Sequence, residues 1–156
     1  MIKYPLTFKL NGSEVKVDVP ATVNLLTLLR DYVSVTSVKF GCAQGNCGAC
    51  TVILDGKPVN SCLVLAQTVE GREVTTVEGI GSPENPHPIQ VAFTEHYGAQ
   101  CGFCTPGMIM ASKALLDKNP HPTRDEVVEG IVGNVCRCTG YNKIIESVLA
   151  AAEMMK

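Results

Sequence analysis

The chain predicts an α+β protein: a mixed sheet crossed by one helix, followed by a group of short helices. Three observations carry that prediction. Apolar and polar residues alternate from Tyr4 to Leu10 and again at Val15, Val17 and Val19, the period of half-buried strands. Asn11-Gly12 and Asp55-Gly56 are strong hairpin signals. After the glycine- and proline-rich stretch from Glu78 to Pro86, the apolar pattern becomes helical.

The elements follow in order. Pro20 stops the second strand, since it ends the run and lacks an amide hydrogen. Asn24 to Asp31 reads as a short helix whose Leu25, Leu26, Leu28 and Leu29 cover one face and form core. Thr51 to Leu54 is a strand, and Val59 to Val64 is its return strand, carrying Cys62. Glu73 to Thr75 is a last short strand. The sheet is then complete, so a first domain is expected over 1–76, a linker over 77–86 and a helical domain over 87–156. The helices are expected at Pro88–Tyr97, at Pro106–Lys118 with Thr105 as N-cap, after the capping box Thr123 to Glu126, and at Tyr141–Met155. Four short helices suggest a small bundle.

Composition narrows the function. With 156 residues there is room for one or two small domains and no large cofactor-binding domain. The formal net charge of −2 offers no basic surface for nucleic acid. No apolar run is long enough to span a bilayer. Strand-like sequence begins directly after Met1, without a signal h-region or twin arginine, so a cytoplasmic location is expected. In that reducing compartment, eight cysteines point to metal or redox chemistry before disulfides.

The stretch Gly41-Cys42-Ala43-Gln44-Gly45-Asn46-Cys47-Gly48-Ala49-Cys50 spaces three cysteines as C-x4-C-x2-C, and Cys62 follows beyond a hairpin. This is the plant-type spacing for a [2Fe-2S] cluster. One short loop wraps the cluster with three thiolates, and the fourth returns from another segment. Gly41, Gly45 and Gly48 permit unusual backbone angles and bring amides close to the sulfurs. A disulfide or a buried-cysteine loop is the plainer reading, and the joint spacing of cysteines and glycines disfavours it. The loop lacks the Lys-Ser/Thr of a phosphate-binding loop.

A second set comprises Cys101 and Cys104 as C-x2-C, and Cys136 and Cys138 as C-x-C. Each pair lies just before an expected helix, where free amides and the helix dipole favour thiolates and an anionic cluster. By itself this set also suits a structural zinc bound by four cysteines. A ferredoxin-type loop in the same chain favours a second iron–sulfur cluster. His87, His96 and His121 are surplus to these ligand counts, and Met108, Met110, Met154 and Met155 read as packing or interface residues. Ile144, Ile145, Val148 and Leu149 read as helix core. Arg137, between two cysteines, reads as a surface ion-pair partner or as a stabiliser of cluster charge.

The motifs GCAQGNCGACTV, SCL, QCGFCTPGM and NVCRCTGY together resemble the small iron–sulfur subunit of the xanthine dehydrogenase family of molybdenum hydroxylases. Similar subunits occur in aerobic carbon monoxide dehydrogenase and in 4-hydroxybenzoyl-CoA reductase. The resemblance implies a β-grasp, ferredoxin-like N-terminal domain and a four-helix-bundle C-terminal domain. It implies that Cys42, Cys47, Cys50 and Cys62 bind one [2Fe-2S] cluster, nearer the flavin. Cys101, Cys104, Cys136 and Cys138 would bind the other, nearer molybdenum. Gln100 and Cys138 would contact the pterin of the molybdenum cofactor. The implied partners are a large molybdopterin-binding subunit and a medium FAD-binding subunit, in a dimer of heterotrimers. The implied role is single-electron relay between those cofactors, in a hydroxylase or a dehydroxylating reductase, with substrate chemistry on another subunit and therefore no catalytic residue on this chain. Two other readings compete: a stand-alone ferredoxin-like carrier, and a zinc-stabilised module with one cluster as a redox sensor.

Overall fold

The computed structural model describes residues 2–156. Strands β1 (Lys3–Leu10) and β2 (Ser13–Pro20) form an antiparallel hairpin, in register from Lys3 opposite Pro20 to Leu10 opposite Ser13. Asn11 and Gly12, both at positive φ, make its turn. Helix α1 (Leu25–Thr27) begins where the Asn24 side chain accepts from the Thr27 amide, and it continues as a π-helical turn over Leu28–Tyr32. Strands β3 (Thr51–Leu54) and β4 (Lys57–Asn60) form a second hairpin about Asp55-Gly56. Strand β5 (Glu73–Thr75) lies between β1 and β3, parallel to the former and antiparallel to the latter. The sheet order is therefore β2-β1-β5-β3-β4, the mixed sheet that the alternation predicts. Pro58 sits on the edge strand β4, where a missing amide hydrogen costs no interior ladder bond.

One face of this sheet is buried by the leucines of α1 and its continuation. Leu25, Leu26, Leu28 and Leu29 join Leu6, Phe8, Val19, Val52, Leu54 and Val74 in one core. Strand β3 is buried on both faces. Val52 and Leu54 point into that core, while Ile53 between them packs with Met110 and Ala114. The period-two alternation of a strand explains the split.

Met110 and Ala114 belong to helix α3 (Thr105–Lys118), which lies between α2 (Pro88–Glu95), α4 (Arg124–Gly130) and α5 (Asn142–Met154) on one side and the sheet on the other. The helices share their own core of Ile89, Phe93, Met108, Leu116, Val127, Ile144 and Val148. His87 caps α2, and the Thr123–Glu126 capping box opens α4 as expected. Val77 and Ile80, at the start of the expected linker, pack against both α3 and the helical core. That part of the linker is anchored, because its apolar residues bury between the halves. Among the described residues, no helix is long and apolar enough to cross a membrane.

Candidate metal centres

Residues 42–50 form no regular element, and their backbone is held from outside. Arg30 donates to the carbonyls of Val38 (2.6 Å) and Thr36 (2.9 Å), fixing the chain that enters the loop. Asn60 Nδ2 donates to Gly45 O at 2.9 Å, Thr51 to Gly48 O through both its amide (3.0 Å) and its hydroxyl (2.7 Å), and Ser61 Oγ to Cys50 O at 2.8 Å. With carbonyls tied to the sheet, amides are left to face the sulfurs. The Gln44 amide lies 3.3 Å from Cys42 Sγ. Gly48 has φ of +67°, and a Cβ there would overlap the carbonyl of Gly133 and the side chain of Asn134. Gly41 serves close approach instead of unusual dihedrals: a Cβ on it would stand 2.7 Å from Cys47 Sγ.

Cys62 does not lie on the return strand. Strand β4 ends at Asn60, and Cys62 sits in a 3-10 turn over Ser61–Leu63. A strand through Cys62 would alternate its side chains across the sheet. The turn, held by the Ser61 bonds to Cys50 O, directs Cys62 toward Cys50.

In the second set, the N-cap of α3 is Cys104 itself, one residue before the expected Thr105. The C-x-C pair lies just before its helix, which starts one residue later than expected. Helix α5 begins at Asn142 with Tyr141 as a left-handed cap, so Cys136 and Cys138 occupy the preceding loop and are not in the first turn. The dipole argument therefore applies to Cys104 and not to the C-x-C pair. Local hydrogen bonds take its place. Thr139 Oγ1 donates to Cys136 Sγ at 3.2 Å, and the Cys136 amide donates to the Tyr141 phenol oxygen at 2.9 Å.

The eight cysteines are free thiols arranged in four pairs. Cys101 and Cys138 place their sulfurs 3.6 Å apart. Cys47 lies close enough to Cys42 to shift its titration, as does Cys50 to Cys62 and Cys136 to Cys104. Two thiolates on one tetrahedral metal with bonds of about 2.3 Å lie about 3.8 Å apart. The Cys101–Cys138 separation fits two thiolates on one metal ion, and the neighbouring thiols of each set suit a binuclear centre.

Electrostatics separates the pairs. The Gln44 amide, with help from Cys47 and the amides of Asn46 and Cys47, lowers the Cys42 thiol to about 6. Burial raises Cys62 to about 11, reinforced by Cys50. Burial also raises Cys104 to about 12, reinforced by Cys136. Contact with Cys101 raises Cys138. Burial pushes Cys136 up as well, but the Thr139 hydroxyl and the Thr139 and Cys138 amides outweigh it, and its net shift is downward. Adjacent thiols resist double ionisation because like charges repel. A bound cation removes that penalty, which is the ordinary coupling of metal binding to thiol deprotonation.

The two sets are joined directly. The Val135 amide donates to Cys47 O at 2.9 Å, and Asn134 Nδ2 donates to Gly48 O at 2.9 Å and lies 3.2 Å from Thr51 Oγ1. Asn134, Val135, Thr139 and Tyr141 received no role from spacing alone. The one available signal was their place beside Cys136 and Cys138 in a short motif. Gly107 is a similar omission: a Cβ there would press on Gly48 O and Ala49, so glycine lets α3 start against the first loop.

Gln100 and Cys138 are both exposed, as are Cys101 and Arg137. Phe40 and Leu63 near the first set are 59% and 65% exposed, and Phe103 and Val135 in the second are 48% and 52% exposed. His87 caps α2 and His96 ends it, while Met108 and Met110 fill core.

Both halves of the chain match known iron–sulfur families. Residues 8–77 match the 2Fe-2S iron-sulfur cluster binding domain, and residues 76–149 match the [2Fe-2S] binding domain. The chain is 46% identical over 153 residues to the nicotinate dehydrogenase small FeS subunit of Eubacterium barkeri, covering 98% of each. It is 47% identical over 148 residues to an aldehyde oxidoreductase of Megalodesulfovibrio gigas, covering 93% of this chain and only 16% of that enzyme. Among solved structures, a chain of quinoline 2-oxidoreductase from Pseudomonas putida 86 superposes with a TM-score of 0.95 at 42% identity, covering 98% of this chain and 96% of that one. The chain belongs to the iron–sulfur subunits of the xanthine dehydrogenase family of molybdenum hydroxylases.

Proposed function

We propose that this chain is an electron-transfer subunit that carries two [2Fe-2S] clusters between a molybdopterin site and FAD on partner subunits. Cys42, Cys47, Cys50 and Cys62 bind one cluster, with the first two on one iron and the last two on the other. Cys101 with Cys138 and Cys104 with Cys136 bind the second. When bound, the clusters supply one-electron chemistry at low potential, about −400 mV for the plant type before local tuning. The chain's residues hold the two centres at a fixed separation, shield their inner sulfurs and connect them.

One observation supports this reading above the rest: the Val135 amide donates to Cys47 O. Val135 is bonded to Cys136, so a single hydrogen bond separates a ligand of one centre from a ligand of the other. Two unrelated metal sites would have no need of such a link. The reading includes the finer architecture, a β-grasp domain over 1–76 and a four-helix-bundle domain over 87–156 joined by 77–86. The sheet order with a parallel β1/β5 pair and the two family matches support it.

The near-complete overlap with a small FeS subunit supports action within a complex. The partners are a large molybdopterin-binding subunit and a medium FAD-binding subunit, assembled as a dimer of heterotrimers in the cytoplasm. Gln100 and Cys138, both exposed beside the second set, contact the pterin. Substrate chemistry lies on the large subunit. Purification under anaerobic conditions is the test. About four irons and four acid-labile sulfides per chain, with two distinct paramagnetic signals on reduction, are expected. Stoichiometric zinc, or a single signal from fully loaded protein, overturns the proposal.

A further inference from the structure

Cys136 is enclosed by a ring of three hydrogen bonds. The Tyr141 amide donates to Thr139 Oγ1 at 3.2 Å, Thr139 Oγ1 donates to Cys136 Sγ at 3.2 Å, and the Cys136 amide donates to the Tyr141 phenol oxygen at 2.9 Å. Tyr141 closes the ring because its left-handed backbone, φ of +69°, turns both its amide and its ring toward the loop. The direction of the middle bond is determined. A hydroxyl has one hydrogen and two lone pairs. The Tyr141 amide can only donate, so it occupies a lone pair and leaves the Thr139 hydrogen for sulfur. A ligating thiolate has no hydrogen of its own to give. Among the described residues, Thr139 is the side-chain hydroxyl that meets a cysteine sulfur, whereas the first set uses the backbone amide of Gln44.

We infer that Thr139 is a potential-setting residue for the second cluster, holding its reduction potential up through the hydrogen bond to Cys136 Sγ. This rests on the proposed binding of that cluster by Cys101, Cys104, Cys136 and Cys138. Reduction adds one electron and no proton, so the centre becomes more negative. A hydrogen bond to a ligand sulfur strengthens as negative charge grows, and it therefore favours the reduced form. Cys136 directly follows Val135, whose amide bridges to Cys47, so this tuning acts at the junction between the centres.

The experiment is potentiometric titration of the full chain in its complex, followed by the paramagnetic signals of both clusters. Thr139→Val keeps the shape and removes the donor. The midpoint of the second cluster is expected to move to more negative potential, with the first unmoved and about four irons retained. Thr139→Ser is expected to restore the wild-type midpoint, which a role in packing alone does not predict. Thr139→Ala is the second donor-free variant if Thr139→Val binds iron poorly. An unmoved midpoint in an iron-replete donor-free variant overturns the inference. So does a Ser variant that shifts as far as Val, or loss of the second cluster in both donor-free variants, which makes Thr139 structural. Failure of the underlying reading looks different, since wild-type protein then lacks two iron signals.

Discussion

The Val135 amide lies 2.9 Å from the carbonyl oxygen of Cys47, so the loops that carry the two cysteine sets meet through main-chain atoms. Asn134 reinforces the contact from a site that is 6% exposed, donating to Gly48 O. Asn134→Ala removes this donor and leaves a buried carbonyl with fewer partners, at a cost of about 1–3 kcal/mol. Thermal unfolding of the loaded protein is expected to show the loss. Electron equilibration between the clusters is expected to slow, because the loops drift apart. An unchanged unfolding midpoint refutes the role assigned to Asn134.

Gly48→Ala tests the same junction by addition. Its φ of +67° and the overlap of a new Cβ with Gly133 O strain both loops. A cost of about 1–3 kcal/mol is expected from the backbone conformation, with more from the clash. Iron analysis is expected to find the first cluster depleted ahead of the second. Full occupancy of both, at wild-type stability, counts against the tight approach of the loops.

Cys50→Ser separates the centres. Cys50 is 3% exposed and faces Cys62. Replacing it is expected to remove one paramagnetic signal and leave the other, with the helices folded by circular dichroism. Disappearance of both signals from folded protein contradicts two independent ligand sets.

His87 predicts a pH dependence of stability. Its Nδ1 accepts the Ile89 amide at 3.2 Å, a bond that only the neutral ring with its hydrogen on Nε2 can accept. Burial, then the nearby Lys113 charge, lowers its pKa in the folded protein, with Asp117 opposing. A depressed folded value means that the unfolded chain takes up the proton first. The stabilisation is therefore complete above the unfolded value of about 6.5 and declines as pH falls through the folded one. Denaturant midpoints measured from pH 8 to pH 5 are expected to fall, and His87→Asn, which caps without titrating, is expected to flatten that limb. A wild-type curve with no such limb rejects the assignment.

Local signals foretold most elements here. Asn11-Gly12 and Asp55-Gly56 became hairpins, Thr123 to Glu126 became a capping box, and the leucines from Leu25 to Leu29 became core. Each depends on residues a few positions apart, where propensity and periodicity operate. The misplacements share a cause. Cys62 continues an apolar pattern that looks like strand, but bonds from the Ser61 amide and hydroxyl to Cys50 O turn the chain. Cys136 and Cys138 precede a helical pattern, yet α5 starts only after Tyr141 adopts a left-handed cap.

The linear order of residues determined the thiol inventory: eight cysteines, grouped by spacing into two sets, with glycines where the first loop crowds. Tertiary structure alone decided which thiol faces which and how the sets touch. The Cys50–Cys62, Cys101–Cys138 and Cys104–Cys136 pairings and the Val135–Cys47 bond join positions far apart in the chain. The reason is physical. Spacing constrains what a short loop can wrap, whereas contacts between loops follow from how α3 seats on β3, through Met110 and Ala114 against Ile53.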